Sequence, residues 1–192
     1  MKPIYQITLA LALAALMPQI ASAEDCNCKV SHREIAASPY AGMERRSIKA
    51  LSDPQIVDLK AGRGMGLSLP AELNGYPGPA HVLELADTLR LSDDQRTKAK
   101  ALFEAMKIET IPIGKRILSE ETALDRLFAE KQATQDALNT ATARIASAQG
   151  DLRAAHLRYH LALTEFLSSE QVARYAELRG YGTGAPDRHK HP

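Results

Sequence analysis

Between Gln135 and Leu167, large apolar residues recur seven apart at Leu138, Ile145, Leu152, Tyr159 and Phe166, and alanines follow the first four by three residues at Ala141, Ala148, Ala155 and Ala162. This is a heptad seam along one long helix, with a bulky side chain at one seam position and a methyl group at the other. The alanines let a partner helix come close, so a chain built around this segment is confined to helix-on-helix packing. The partner lies just upstream. Leu102, Phe103, Met106, Ile113, Ile117, Leu124, Leu127 and Phe128 recur at helical spacing up to about Gln132. A short polar stretch around 130–135 is all that separates the two helices, which predicts an antiparallel hairpin. Pro112 falls inside the first helix, where it removes the bond to the Ile108 carbonyl and bends the axis.

Three pentapeptides punctuate this pattern: LSDPQ at 51–55, LSDDQ at 91–95 and LSSEQ at 167–171. Serine followed three residues later by glutamine is a capping box, in which the hydroxyl takes a backbone N–H of the first turn and the glutamine reaches back. Each box starts a helix, and Asp53, Asp93, Asp94 and Glu170 sit where the helix dipole favours negative charge. The copies are 40 and then 76 residues apart, which excludes a stacked repeat of fixed period.

The N-terminus reads MKPIYQITLALALAALMPQIASA, with a charged start at Lys2, an apolar run over Ile7 to Met17, and a small-x-small site at Ala21-Ser22-Ala23. These features predict a secretory signal peptide over 1–23, cut after Ala23, and a periplasmic mature chain. The apolar run falls short of the ~20 residues of a spanning helix, so no stable membrane insertion is expected. Cutting there leaves 169 of the 192 residues, enough for one domain, and takes the charge from 24 basic against 23 acidic groups to 23 against 23. A neutral chain offers no electrostatic case for nucleic acid. With no Trp and 5% aromatic residues, the composition suits an all-α fold: a long bent hairpin with short flanking helices. Residues 24–80 read as an irregular N-terminal arm with a capped helix near 52–61, because GRGMGLSLPAELNGYPGP is dense in turn signals. Residues 81–180 form the helical domain, and 181–192 a polar, disordered tail.

An exported helical chain with an LSxxQ box before a long helix, a fold-back helix, and a second LSxxQ box near its end resembles the Spy/CpxP family of bacterial periplasmic stress proteins. That family carries paired LTxxQ motifs and includes the metal-resistance proteins ZraP and CnrX. Leu91, Ser92 and Gln95, and Leu167, Ser168 and Gln171, match the pair with serine in place of threonine. The resemblance covers about 81–180. It implies a dimeric cradle of bent hairpins that holds unfolded client proteins without ATP, or an adaptor for an envelope sensor protein. The best-known chaperone members have basic cradles, whereas this mature chain is neutral.

HLRYH places His156 and His160 one turn apart on one helix face. Two imidazoles so spaced either chelate a divalent transition metal or stand as hydrogen-bonding histidines beside the seam, which they flank and where they are partly solvated. CnrX-type relatives bind metal through helical histidines with carboxylate and methionine partners, and His81, Met43, Met65 and Glu165 are completing ligands by residue type alone. Cys26 and Cys28 are separated by one residue near the new N-terminus; an intermolecular disulfide, a Cu(I) site and a mobile thiol pair all remain open for them. His189 and His191 lie in the tail. No phosphate-binding loop, serine-nucleophile or zinc-protease motif is present, so no enzyme and no required cofactor is expected.

The first long helix has two apolar stripes, Phe103, Ile117 and Leu124 on one and Met106, Ile113 and Leu127 on the other. A hairpin with short flanking helices leaves one of them open, and a second copy would cover it; a homodimer is therefore expected.

Overall fold

A computed structural model describes residues 38–181, which from Pro39 onward pack as one compact unit. The expected signal peptide, Cys26, Cys28, and the tail with His189 and His191 lie outside the described residues. A 3₁₀ turn at Met43–Arg45 precedes six α-helices: α1 (Asp53–Lys60), α2 (Leu69–Glu72), α3 (Pro79–Glu84), α4 (Asp93–Ala129), α5 (Gln135–Thr164) and α6 (Ser169–Arg179). The described residues contain no strand, so the fold is all-α as the periodicity predicts. None of these helices is long and apolar enough to cross a membrane.

The two long helices form the antiparallel hairpin. Arg116 pairs with Asp151, while Arg158 donates to Glu109 at 2.8 Å and the Tyr159 hydroxyl donates to the same carboxylate at 2.9 Å, so rising numbers on α4 meet falling numbers on α5. Ala141, Ile145, Ala148, Leu152 and Ala155 of the seam are all buried. The alanines allow the close approach that larger residues would block.

The arm packs onto the hairpin through α1. A Cβ on Gly114 would collide with the Leu59 carbonyl, so the α1 backbone crosses α4 in direct contact at the one position without a side chain. Leu59, Ile117, Ala148 and Leu152 form a buried cluster there, with Ile113 and Leu118 against it. Ile117 of one apolar stripe and Ile113 of the other are therefore packed against a cluster to which the chain's own arm contributes Leu59.

A second cluster closes the other end, where Val82 and Ala86 meet Leu89, Leu91, Ala99, Leu163 and Tyr175. Between the two clusters, at the level of Phe103 to Lys107 on α4 and His156 to His160 on α5, the arm runs across α5 and borders a half-open cavity. The arm is thus irregular in backbone but forms one wall of this cavity.

Candidate functional site

Two groups of polar side chains stand out, and their hydrogen bonding differs sharply. The first joins the two LSxxQ boxes. All three boxes form as predicted: the serine hydroxyl of each accepts the backbone N–H of its glutamine, at 3.4 Å for Gln55 and 3.2 Å for both Gln95 and Gln171. Gln95 and Gln171 then go further. Gln95 Nε2 donates to Gln171 Oε1 at 2.8 Å, and Gln171 Nε2 donates back to Gln95 Oε1 at 3.0 Å. The second amide proton of each glutamine reaches a carbonyl just ahead of the opposite box, Phe166 at 2.8 Å and Leu89 at 3.3 Å. Each oxygen also accepts its own cap N–H, from Ser92 at 3.0 Å and Ser168 at 2.9 Å.

Both amides therefore use two donors and two acceptor positions, the full capacity of the group. Leu91 is buried beside them and Leu167 packs against the same cluster. This arrangement is a clasp that fixes the start of α4 against the start of α6, and it leaves nothing over for a ligand. Gln55 bonds only within its own box, so LSDPQ caps its helix without joining the clasp.

The second group lines the cavity, whose volume is about 570 Å³. His156, His160 and His81 all line it, as does Met65, so three of the expected metal-binding histidines share one space. Met43 lies in the 3₁₀ turn and Glu165 is exposed at the end of α5; neither lines the cavity. The histidine pair does flank the seam, but it is not partly solvated: both residues are 5% exposed. The reason is the arm, which covers this flank of α5. A Cβ on Gly64 would stand 3.1 Å from the His156 ring, and one on Gly78 would stand 2.8 Å from His160 Cε1 and 3.0 Å from its Nε2. Only glycine lets the backbone sit this close.

The tautomers follow from the partners. His160 Nδ1 lies 2.7 Å from the Tyr76 carbonyl, which can only accept, so Nδ1 carries a proton and, in the neutral ring, the lone pair is on Nε2. His156 Nε2 is buried without a hydrogen-bond partner. Burial pushes the His156 imidazole below its usual range and the neighbouring His160 adds to this, while a bond with the Gly62 backbone works in the opposite direction. His156 is accordingly neutral at pH 7.

Sequence reading missed Glu72, which among the described residues is the only carboxylate lining the cavity and is 6% exposed. Its Oε1 is held by the Tyr175 hydroxyl and by that of Tyr181 at 3.1 Å, with His81 Nδ1 at 3.4 Å and Arg179 Nε at 3.8 Å. Burial and the Glu72 carboxylate raise the Tyr175 phenol far above its usual range, so it stays a donor at any working pH. The other oxygen, Oε2, lies 3.7 Å from His160 Nδ1, whose proton is already given to Tyr76, and has no hydrogen-bond partner. Glutamate in a four-residue helix reads like any solvated charge, and no periodicity could have flagged it. The one available signal was its setting between two glycine-rich turns, 62–66 and 75–78.

Glu72 Oε2 and His156 Nε2 are thus two buried acceptors without donors, and both residues line one cavity. Leaving such atoms unpaired costs roughly 1–3 kcal/mol each, so a native chain retains them where something else completes them. Among the described residues, no three His, Cys, Asp or Glu side chains are gathered tightly enough to hold an ion by themselves. Comparison with family models, with characterised proteins and with solved structures gives no match for this chain.

Proposed function

We propose that the protein is an exported metal-binding protein of the sensor or resistance kind, with its ion in the cavity between α5 and the arm. The observation that carries this reading is the pair of buried, unpartnered acceptors, Glu72 Oε2 and His156 Nε2. The donor set suits a divalent transition metal: two imidazole nitrogens one helical turn apart and one carboxylate oxygen. Tyr76 and the two tyrosines act on the atoms behind these donors, orienting His160 and Glu72 as outer partners of metal ligands do. When bound, the ion would tie α5 to α2 across the cavity. The resemblance to a family that includes ZraP and CnrX points the same way.

Calorimetric titration of the mature protein with Zn, Ni and Co tests this. Binding tighter than micromolar is expected, and the His156→Ala/His160→Ala variant should lose it. If none of these ions binds that tightly, the reading fails. A Cys26→Ser/Cys28→Ser variant titrated with Cu(I) separates any binding by the N-terminal thiols from binding in the cavity.

A second reading, that of an ATP-independent chaperone or stress adaptor, draws on apolar surface next to the cavity. Leu69 and Leu73, four apart across α2, are 51% and 56% exposed, and Tyr76 and Met65 flank them at 40% and 42%. Apolar side chains grouped in this way suit contact with an unfolded client or a partner protein. Suppression of aggregation of several unrelated heat-unfolded clients at near-stoichiometric ratio is the expected outcome. Failure with all of them would remove this reading and leave the metal reading intact.

A further inference from the structure

We infer that the cavity takes its metal as a chelate, one ion together with a small carboxylate-bearing molecule that completes the coordination shell. This rests on the metal-binding reading above and adds the class of co-ligand.

The first argument is the count of donors. Oε1 of Glu72 is already occupied by Tyr175 and Tyr181, so only Oε2 is available, and each histidine offers only Nε2. His81 has its ring nitrogens 3.4 Å from Glu72 Oε1 and 3.4 Å from Arg179, and the Met65 and Met106 thioethers are weak donors, so three nitrogen and oxygen atoms remain, fewer than the four to six positions a divalent transition ion fills. The remaining positions belong to something that enters with the ion.

The second argument is space. A cavity of about 570 Å³ falls in the range of pockets that hold small organic molecules, roughly 300–1,000 Å³. An ion with one water needs only on the order of 30 Å³ of liquid volume beyond the ligands themselves. Leu69 and Phe103 form an apolar part of the lining that suits a carbon skeleton and gives no coordination of its own.

The third argument is charge. Arg179 and Lys107 also line the cavity. The Arg179 guanidinium touches Tyr181 Oη at 3.3 Å and His81 Nε2 at 3.4 Å, and its closest carboxylate is Glu72 at 3.8 Å, beyond hydrogen-bonding distance. Adding a bare dication beside this guanidinium raises the local positive charge with a single carboxylate to offset it. A carboxylate that arrives with the ion removes that penalty and meets the planar fork of the arginine, which matches its geometry. The chemistry is that of a five-membered chelate: one carboxylate oxygen and a neighbouring amine or hydroxyl on the metal, with the second carboxylate oxygen towards Arg179. An α-amino acid and an α-hydroxy acid both offer it.

Titration of the mature protein with Zn(II) alone, with Zn(II) and glycine, and with Zn(II) and malate tests the inference and separates the two sources. With at least one of the two, the apparent zinc affinity should exceed the value calculated for simple competition by about tenfold or more. Arg179→Gln should abolish that excess, read in each protein as the ratio of its zinc affinity with the acid to its zinc affinity without it. Native mass spectrometry of the unmutated protein decides the matter independently of the variant's folding: a ternary mass supports the chelate, and a protein–zinc mass alone overturns it. If zinc binds and both acids merely compete, the chelate inference falls and the metal-binding reading stands. If zinc does not bind in any form, both fall.

Discussion

The clasp and the cavity are both built from polar side chains at contacts between helices, yet one is saturated and the other is not. Gln95 and Gln171 satisfy each other, two cap N–H groups and two carbonyls, with no atom left over. In the cavity, two residues at least 94% buried, Glu72 and His156, each keep an acceptor atom without a donor. Saturation marks a group kept for stability. An unmet buried acceptor held in place by other residues calls for a partner from outside the chain, an ordered water or a ligand, and the proposed function assigns it to a ligand. The two regions should therefore answer mutation differently.

The largest effect is expected where both regions are lost together. Ile117 is 2% exposed in the cluster that anchors α1, and α1 leads into the loop that covers His156. Ile117→Glu should bury a charge without a partner and unfold the domain, a loss of more than about 4 kcal/mol measured by urea denaturation. This differs from the outcome at a pure dimer contact, which would be a folded monomer.

Next in size is the clasp. Glutamate serves as well as glutamine in a capping box, and negative charge favours a helix start, so Gln55→Glu in LSDPQ should be neutral within about 0.5 kcal/mol. The same change at Gln95 removes two donors and sets a carboxylate against Gln171 Oε1; a loss of about 2 kcal/mol is expected. A double-mutant cycle between Gln95→Glu and Gln171→Glu should show coupling of about 1 kcal/mol or more in magnitude, while a cycle between Gln55→Glu and Gln171→Glu should show none.

Cavity substitutions should cost less. His156→Leu removes an unpaired buried nitrogen together with the bond to the Gly62 backbone, two opposing effects, so stability should stay within about 1 kcal/mol of the unmutated protein while metal binding is lost. pH sharpens the point. Because burial lowers the folded-state pKa of His156, the unfolded chain takes up the proton first as pH falls below about 6.5, and the stability present above that pH is lost as pH drops through the folded-state value. Comparing melting temperatures of the unmutated and His156→Leu proteins between pH 7.5 and 5 should show that part of the slope disappear in the variant.

The hairpin was legible because its signals are long and periodic: five large residues and four alanines in register leave one architecture open. The boxes were legible as caps, but not as a clasp, because a capping box accepts Gln or Glu and only the folded chain shows that both amide protons are used. His156 and His160 could be placed side by side from their spacing. Their burial could not be read, since it depends on an arm whose helices run to eight and four residues, too short to show a period. Glu72 was invisible for the same reason. Its role is set by Tyr175 and Tyr181, more than one hundred residues away in the chain.

The claim that the unsaturated region is the binding site is tested most directly by nitrogen NMR of the histidine rings and glutamine amides as Zn(II) is added to the mature protein. The account predicts that the Nε2 signals of His156 and His160 shift together and are complete near one equivalent, while the side-chain amides of Gln95 and Gln171 stay where they are. Unchanged His156 and His160 signals at several equivalents of zinc would contradict it.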